Sequence, residues 1–130
     1  MYVRIVSKRK GGTPPRDGEL VVAVDRTNAV LGNKAVLKDH LDAAGRDAAI
    51  ASFERERALD EEREGPMTRE IRRLALLVQS GQAVALQCWC APRRCHAELI
   101  RAQMGRILGR ELAPRDEAGQ GAPPVQDSLF

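Results

Sequence analysis

Aromatic residues are scarce in this chain of 130 residues, which has one Trp, one Tyr and two Phe. A folded core must therefore be built from aliphatic side chains and alanine. Long hydrophobic runs are also missing, because the longest, such as Leu74–Val78, extend over only a few residues, whereas a membrane-spanning helix needs about 20. The first residues, MYVRIVSKRKGG, are too charged for a secretory signal. We therefore expect a cytoplasmic protein that does not span a membrane.

Cysteine is limited to three residues, Cys88, Cys90 and Cys95, and His96 follows the last of them directly. An odd, clustered set in a chain without an export signal does not indicate a structural disulfide framework. The cluster instead indicates either a metal site or reactive thiols.

Charge is unevenly distributed along a chain whose overall composition is ordinary for one small globular domain. The net charge is +5 over residues 1–38, −5 over 39–65, +6 over 66–115 and −3 over the last fifteen residues. Two basic segments of this kind can form a positive face for phosphates or nucleic acid. The alternative is that the arginines simply lie on solvated helix faces.

Three segments have the hydrophobic pattern of strands. In Tyr2–Val6 the side chains alternate between two faces, with Val3 and Ile5 on one of them, and Gln82–Gln87 is apolar at its centre. Glu19–Val24 is continuously apolar from Leu20, which predicts a strand covered on both faces.

Four segments have helical patterns. A short helix is predicted from Asn33 to about Asp42, and a second over 46–63, held by Ile50 and Phe53 with a solvated, salt-bridged face. A third is capped by Thr68 and ends before Gly81, and a fourth opens at Cys95 or His96 and ends at Gly109. The predicted inner-face residues of the last two are Ile71, Leu74, Ala75, Val78, Ile100, Met104, Ile107 and Leu108.

This order of elements predicts an α/β fold: a small, partly parallel sheet flanked by helices in Rossmann-like layering. The single domain is expected to span residues 1–112. Residues 113–130 have little to bury and are predicted to form a flexible, disordered acidic tail. A domain of this size is only marginally stable, so a homodimer is a plausible assembly.

The run VALQCWCAPRRCHAELI predicts a strand, a tight loop and the start of a helix. Ligands of open α/β sheets bind at the carboxyl ends of strands, and a helix N-terminus favours anions. A thiol at this position beside Arg93 and Arg94 is expected to be partly thiolate, and Cys95 fits best. Cys90 would be its partner and His96 a general acid or base.

Two other interpretations of the same run stay open. Cys88, Cys90, Cys95 and His96 make up a Cys₃His zinc set, although all four ligands would come from one nine-residue stretch. Alternatively, Cys88 shares a strand face with Val84 and Leu86 and is a small buried hydrophobe. Trp89 points to the opposite face, where it either packs in the core or forms a stacking wall for a base.

The motif CWCAPRRCHAELI resembles the signature of a family of small bacterial and bacteriophage proteins catalogued as domain of unknown function 4326. The polar turn Asp25–Asn28 followed by Leu31-Gly32-Asn33 is similar to the family's upstream pattern, so the resemblance covers roughly residues 2–108. Lys34-Ala35 replaces the Pro-Phe usual after Gly-Asn, which changes the wall of a pocket. The resemblance implies that the Arg26 and Asn33 region and the Cys90, Cys95 and His96 region belong to one site. It implies no reaction.

The leading hypothesis is a protein that binds a nucleotide-like or other phosphorylated ligand at the ends of its strands. Cys90, Cys95 and His96 would lie at the reacting centre if the protein is an enzyme, which the sequence leaves open. The predicted ligand-binding residues are Arg26, Asn33, Trp89, Arg93 and Arg94.

Two alternatives belong to other functional classes. One is a non-enzymatic zinc module whose basic face contacts nucleic acid. The other is a phage-type accessory protein that binds a host protein through its acidic helix 46–63 and its tail.

Overall fold

The structure, a computed structural model, describes residues 1–8, 14–33, 42–89 and 95–114. It has three strands and three helices in an α/β arrangement, which confirms the predicted fold class. The elements are β1 (Val3–Ser7), β2 (Glu19–Ala23), α1 (Ala43–Glu62), α2 (Pro66–Gln79), β3 (Ala83–Cys88) and α3 (Ala97–Leu108).

The three strands form one sheet in the order β1-β3-β2, and both strand pairs are parallel. Val84 of β3 lies opposite Val3 on one side and Leu20 on the other. The sheet that was expected to be partly parallel is therefore parallel throughout the described strands. Parallel strands in one register all end at the same edge, and this edge is where the sequence places the Cys/His loop.

The expectation that β2 is covered on both faces is wrong. β2 is an edge strand whose Leu20 remains 39% exposed, and β3 takes the central place. In β3 the neighbouring side chains Ala85 and Leu86, which point to opposite faces, are both fully buried. A continuous apolar run does not distinguish an edge strand from a central strand, because the strand order depends on how the chain crosses over between strands.

The hydrophobic core lies against one face of the sheet. This face contributes Val3, Val24, Val84, Leu86 and Cys88. The helices and the segments beside them add Leu31, Phe53, Ile71, Leu74, Ala75, Val78, Cys95, Ala97, Ile100, Met104 and Leu112. Apart from Phe53 these side chains are aliphatic residues, alanine, cysteine or methionine, as the shortage of aromatic residues predicts.

Helix α1 begins earlier than predicted because Asp42 caps it, accepting a hydrogen bond of 2.9 Å from the backbone N–H of Gly45. The predicted cap at Thr68 is wrong, since α2 begins at Pro66 with Gly65 as its N-cap. Proline favours the first helical position because the N–H that it lacks has no helical partner there. Most of the predicted helix between Asn33 and Asp42 lies outside the described residues.

The polar stretch of α1 is not wholly a solvated face. Arg57 is buried, and its guanidinium donates to Glu54 (2.6 and 2.8 Å), Glu61 (2.7 Å) and Gln103 of α3 (2.8 Å). These carboxylates hold the pKa of Arg57 above its usual value despite the opposing effect of burial. Arg57 therefore links α1 to α3 as a charged group in which every guanidinium nitrogen is hydrogen-bonded.

Helix α3 confirms the predicted start beside His96 and the predicted stop at Gly109, whose φ of 70° is the left-handed conformation that glycine favours. Ile107 is 40% exposed, so its placement on the inner face is wrong. Beyond the helix, Leu112 is buried and its carbonyl accepts from the Val3 N–H at 2.8 Å. The predicted tail lies outside the described residues from position 115 onward. None of the helices described is long and apolar enough to cross a membrane.

Candidate functional site at the carboxyl edge of the sheet

The carboxyl edge of the sheet brings together three segments that are far apart in sequence. β1 ends before Lys8, β2 runs into a turn over residues 24–33, and β3 ends before Trp89. Backbone hydrogen bonds of 2.9 Å from Lys8 N–H to Cys88 O and from Val24 N–H to Gln87 O continue the pairing to this edge. Side chains from all three segments can therefore face one ligand.

The turn after β2 is fixed by two of its own side chains. Asp25 accepts hydrogen bonds from the backbone N–H of Thr27 at 3.1 Å and from the Thr27 hydroxyl. Asn28 donates to Ala23 O at 2.9 Å, and its side-chain oxygen accepts from the N–H of Val30 and of Leu31 at 3.0 and 2.9 Å. Side chains that bond the nearby backbone in this way are what hold tight turns rigid.

Gly32 is required where this turn closes on itself. Its N–H donates to Asn28 O at 2.9 Å. A Cβ added at Gly32 would collide with the carbonyl oxygens of Asp25 and Asn28, the second at 2.6 Å. The Leu-Gly-Asn sequence is thus explained by a close backbone approach.

Lys8, Asp25 and Trp89 form a cluster that we call the rim. The Lys8 ammonium donates to Asp25 at 2.8 Å and lies 5.9 Å from the centroid of the Trp89 ring, within the range of a cation–π contact. Burial of Asp25 opposes ionisation, but hydrogen bonds from Lys8 and Thr27 lower its pKa to about 2. Asp25 is therefore a carboxylate at neutral pH and holds Lys8 beside the indole ring.

Trp89 and Arg26 are the predicted ligand-binding residues that lie at the surface of this edge. Trp89 is 47% exposed, so it does not pack in the core. Arg26 is also exposed and follows Asp25 directly. An indole and a guanidinium in adjoining segments match the two parts of a nucleotide, its base and its phosphate.

Cys88 and Cys95 lie beneath the rim, in the core. Each is at most 3% exposed, and their sulfur atoms are 2.9 Å apart. The interpretation of Cys88 as a buried small side chain is confirmed. Cys95 is buried to the same degree and joins the same core cluster.

His96 ties the start of α3 to the end of β2. Its Nε2 lies 2.5 Å from Val24 O, and its ring packs edge-on against Phe53 with centroids 4.7 Å apart. Burial lowers the pKa of His96, although hydrogen bonding to the carbonyls of Val24 and Leu31 and the charge of Asp25 act in the opposite direction. A carbonyl oxygen can only accept, so Nε2 carries a proton in this contact and donates to Val24 O.

Of the remaining predicted site residues, only Asn33 lies among the described residues. Asn33 donates to Ala49 O of α1 at 2.9 Å, a contact that positions α1 beside the turn. Cys90, Arg93 and Arg94 lie outside the described residues. Within the described ranges, no group of three or more Cys, His, Asp or Glu side chains is arranged to hold a metal. The zinc hypothesis depends on Cys90 and stays a prediction.

Two residues of the rim were not among the predicted site residues. Lys8 and Asp25 are 17 positions apart in the chain, so their ion pair could not be read from local spacing. The available signal was their position, since each of them comes just after the end of a strand. In a parallel sheet those positions meet at one edge.

Comparison with known proteins gives a family but no activity. No curated protein and no solved structure is significantly similar to this chain. The sequence profile described as Domain of unknown function (DUF4326) matches residues 6–106. This match covers most of the domain, from the last two residues of β1 into α3, and includes both sides of the carboxyl edge. The chain therefore belongs to the DUF4326 family.

Proposed function

We propose that this protein binds a small anionic ligand with an aromatic ring, of the nucleotide class, at the carboxyl edge of its sheet. The observation that carries the proposal is the half-exposed Trp89 at the end of the central strand, with the Lys8 ammonium 5.9 Å from its ring centroid. Aromatic side chains beside cations bind bases by stacking and phosphates by charge.

The rim is prearranged for such a ligand. Asp25 holds Lys8 at 2.8 Å, and the turn that carries Arg26 is fixed by the side chains of Asp25 and Asn28. A ligand that meets rigid partners loses less entropy on binding than one that must order them. Arg26, as an exposed guanidinium, is suited to grip phosphate oxygens with two parallel hydrogen bonds.

The proposal is one of binding, because the groups beneath the rim are enclosed. A catalytic thiol or imidazole must reach the reacting atoms. Cys95 is 3% exposed and His96 is 7% exposed, and Nε2 of His96 is engaged by Val24 O. These residues support the edge in the present arrangement, and the catalytic roles predicted for Cys90, Cys95 and His96 remain predictions.

Trp89 provides its own probe, since it is the single tryptophan of the chain. Nucleoside monophosphates, the corresponding nucleosides and inorganic phosphate are titrated separately while the Trp89 fluorescence is followed. We expect a saturable change with the monophosphates, a weaker one with the nucleosides and none with phosphate alone. No saturable change up to millimolar monophosphate would contradict the proposal.

Variants assign the binding to the rim. Calorimetric titration, which does not depend on fluorescence, should show a loss of affinity of roughly tenfold or more in Trp89→Ala, the amount that one stacked base contributes. Arg26→Ala should weaken the monophosphate but not the nucleoside. Arg55→Ala removes the same charge from the exposed surface of α1 and serves as the matched control. Equal affinities in all three variants would place binding elsewhere.

A further inference from the structure

The two described cysteines are in contact, although one ends a strand and the other precedes a helix. Sγ of Cys88, the last residue of β3, lies 2.9 Å from Sγ of Cys95, two residues before α3 begins. This separation is about 0.9 Å longer than a disulfide bond, and Sγ atoms can close such a gap by small side-chain rotations. The chain returns after only seven residues, so the contact is local and does not depend on a distant loop.

We propose that Cys88 and Cys95 are a redox pair that forms a reversible intrachain disulfide when the protein meets a hydroperoxide. Burial keeps large thiols away from the pair, whereas hydrogen peroxide, which is only slightly larger than water, can enter with local opening of the edge. Cys95 precedes a helix N-terminus, whose positive end favours a thiolate. A thiol in that place next to a second thiol has the arrangement of a redox-sensitive cysteine with its resolving partner.

The chemistry balances in two steps. The Cys95 thiolate attacks one oxygen of hydrogen peroxide, the O–O bond breaks, and Cys95 becomes a sulfenic acid. The second oxygen leaves as hydroxide, which takes up the proton that the thiol released and becomes water. The Cys88 sulfur then attacks the Cys95 sulfur, the S–O bond breaks, and the oxygen leaves as a second water. The two thiols have lost two protons and two electrons to the peroxide, and a dithiol reductant reverses the change.

The bond would covalently join the end of the central strand, next to Trp89, to the segment that leads into α3. This inference goes beyond the proposed binding function, because it requires no ligand and concerns the two cysteines that lie beneath the rim. A short closed loop between two core elements should stabilise the fold, with a rise in Tm of roughly 5–10 °C on oxidation.

The test treats the full-length protein with hydrogen peroxide and maps its peptides. Trypsin cuts after Arg73, Arg93, Arg94 and Arg101 and separates Cys95 from both other cysteines. A bond to Cys88 and a bond to Cys90 would join the same two peptides, so the decisive variant is Cys90→Ser. We expect this variant to give one linked pair, residues 74–93 with 95–101, with the loss of two hydrogens and full reversal by dithiothreitol.

The matched control replaces Cys88 by Ala in the Cys90→Ser background and should give no linked pair. Circular dichroism establishes that both variants are folded, and Cys90→Ala substitutes for Cys90→Ser if the latter is not. The proposal is overturned if folded Cys90→Ser protein keeps Cys88 and Cys95 reduced under peroxide. It is equally overturned if Cys95 is oxidised to sulfinic acid without linkage. Neither result depends on whether the rim binds nucleotides.

Discussion

Nε2 of His96 lies 2.5 Å from the backbone carbonyl oxygen of Val24, across 72 positions of sequence. This contact joins the start of α3 to the point where β2 enters its turn, and both groups are buried. It connects the two halves of the carboxyl edge, with the turn that carries Arg26 on one side and the segment that contains the cysteines on the other. The imidazole is thus part of the frame that positions the rim.

His96→Phe should destabilise the protein while retaining a ring against Phe53. The substitution leaves the buried Val24 carbonyl without its donor, which costs about 1–3 kcal/mol. Urea unfolding followed by circular dichroism measures the free energy of unfolding. Arg55→Ala, a change at the exposed surface of α1, should leave it unaltered. Equal stabilities of His96→Phe and the unmodified protein would show that the imidazole is not a structural link.

Stability should fall as the pH decreases below about 6.5, the ordinary pKa of histidine. Burial lowers the pKa of His96 in the folded state, so the unfolded chain binds a proton that the folded protein does not. The contribution of His96 to the free energy of unfolding is fully present above the pKa of the unfolded state. It is lost as the pH falls from there towards the pKa of the folded state. Urea unfolding between pH 7.5 and 5 measures the slope. The slope should be smaller in His96→Phe, and an unchanged slope would assign it to other groups.

The sequence predicted best those elements whose pattern is local. The helical spacing of Ile71, Leu74 and Val78 and the left-handed Gly109 depend on neighbouring residues alone, and both are found as expected. The expectation of a site at the carboxyl edge follows from a general property of parallel sheets and stays a prediction. Cys88 in the core follows from strand alternation, whereas alternation left open whether Trp89 packs in the core or lies at the surface.

What the sequence could not supply depends on contacts between distant segments. The edge position of β2 depends on strand order, and the Lys8–Asp25 pair depends on which strands become neighbours. Arg57 was assigned to a solvated face because charged residues are rarely buried. Its burial requires Gln103 of another helix, a partner that no local pattern reveals.

Gly32→Ala should be more damaging than Gly18→Ala. The added methyl group at position 32 would collide with backbone oxygens of the turn, which cannot move as a side chain can. We expect a loss of about 2–3 kcal/mol at Gly32, together with weaker ligand binding because the turn carries Arg26. At Gly18 no other atom lies within 4 Å of an added Cβ. Only the φ of 72° opposes alanine there, at a cost of about 1 kcal/mol. Chemical unfolding of both variants tests this order, and the reverse order would contradict the close approach.

Asp60→Ala should destabilise the junction of α1 and α2 because Asp60 caps α2 from the preceding helix. The N-cap residue, Gly65, has no side chain, and the Asp60 carboxylate accepts instead from the Thr68 N–H and hydroxyl, both at 2.6 Å, and from the Met67 N–H at 3.3 Å. Removing it leaves N–H groups of the first turn unsatisfied, at a cost of about 1–3 kcal/mol.

Two comparisons resolve the capping role of Asp60. Thr68→Val removes the hydroxyl donor alone and should cost less than Asp60→Ala, whereas Glu56→Ala removes an exposed carboxylate of the same helix and should cost little.

Burial opposes ionisation of Asp60, but hydrogen bonds from Thr68 and Met67 dominate and lower its pKa. The stabilisation of the fold by the Asp60 carboxylate is therefore present above the ordinary pKa of about 3.9. It is lost as the pH falls through the lower pKa that Asp60 has in the folded protein. Acid unfolding that is the same in Asp60→Ala and Glu56→Ala would show that the carboxylate does not serve as the cap.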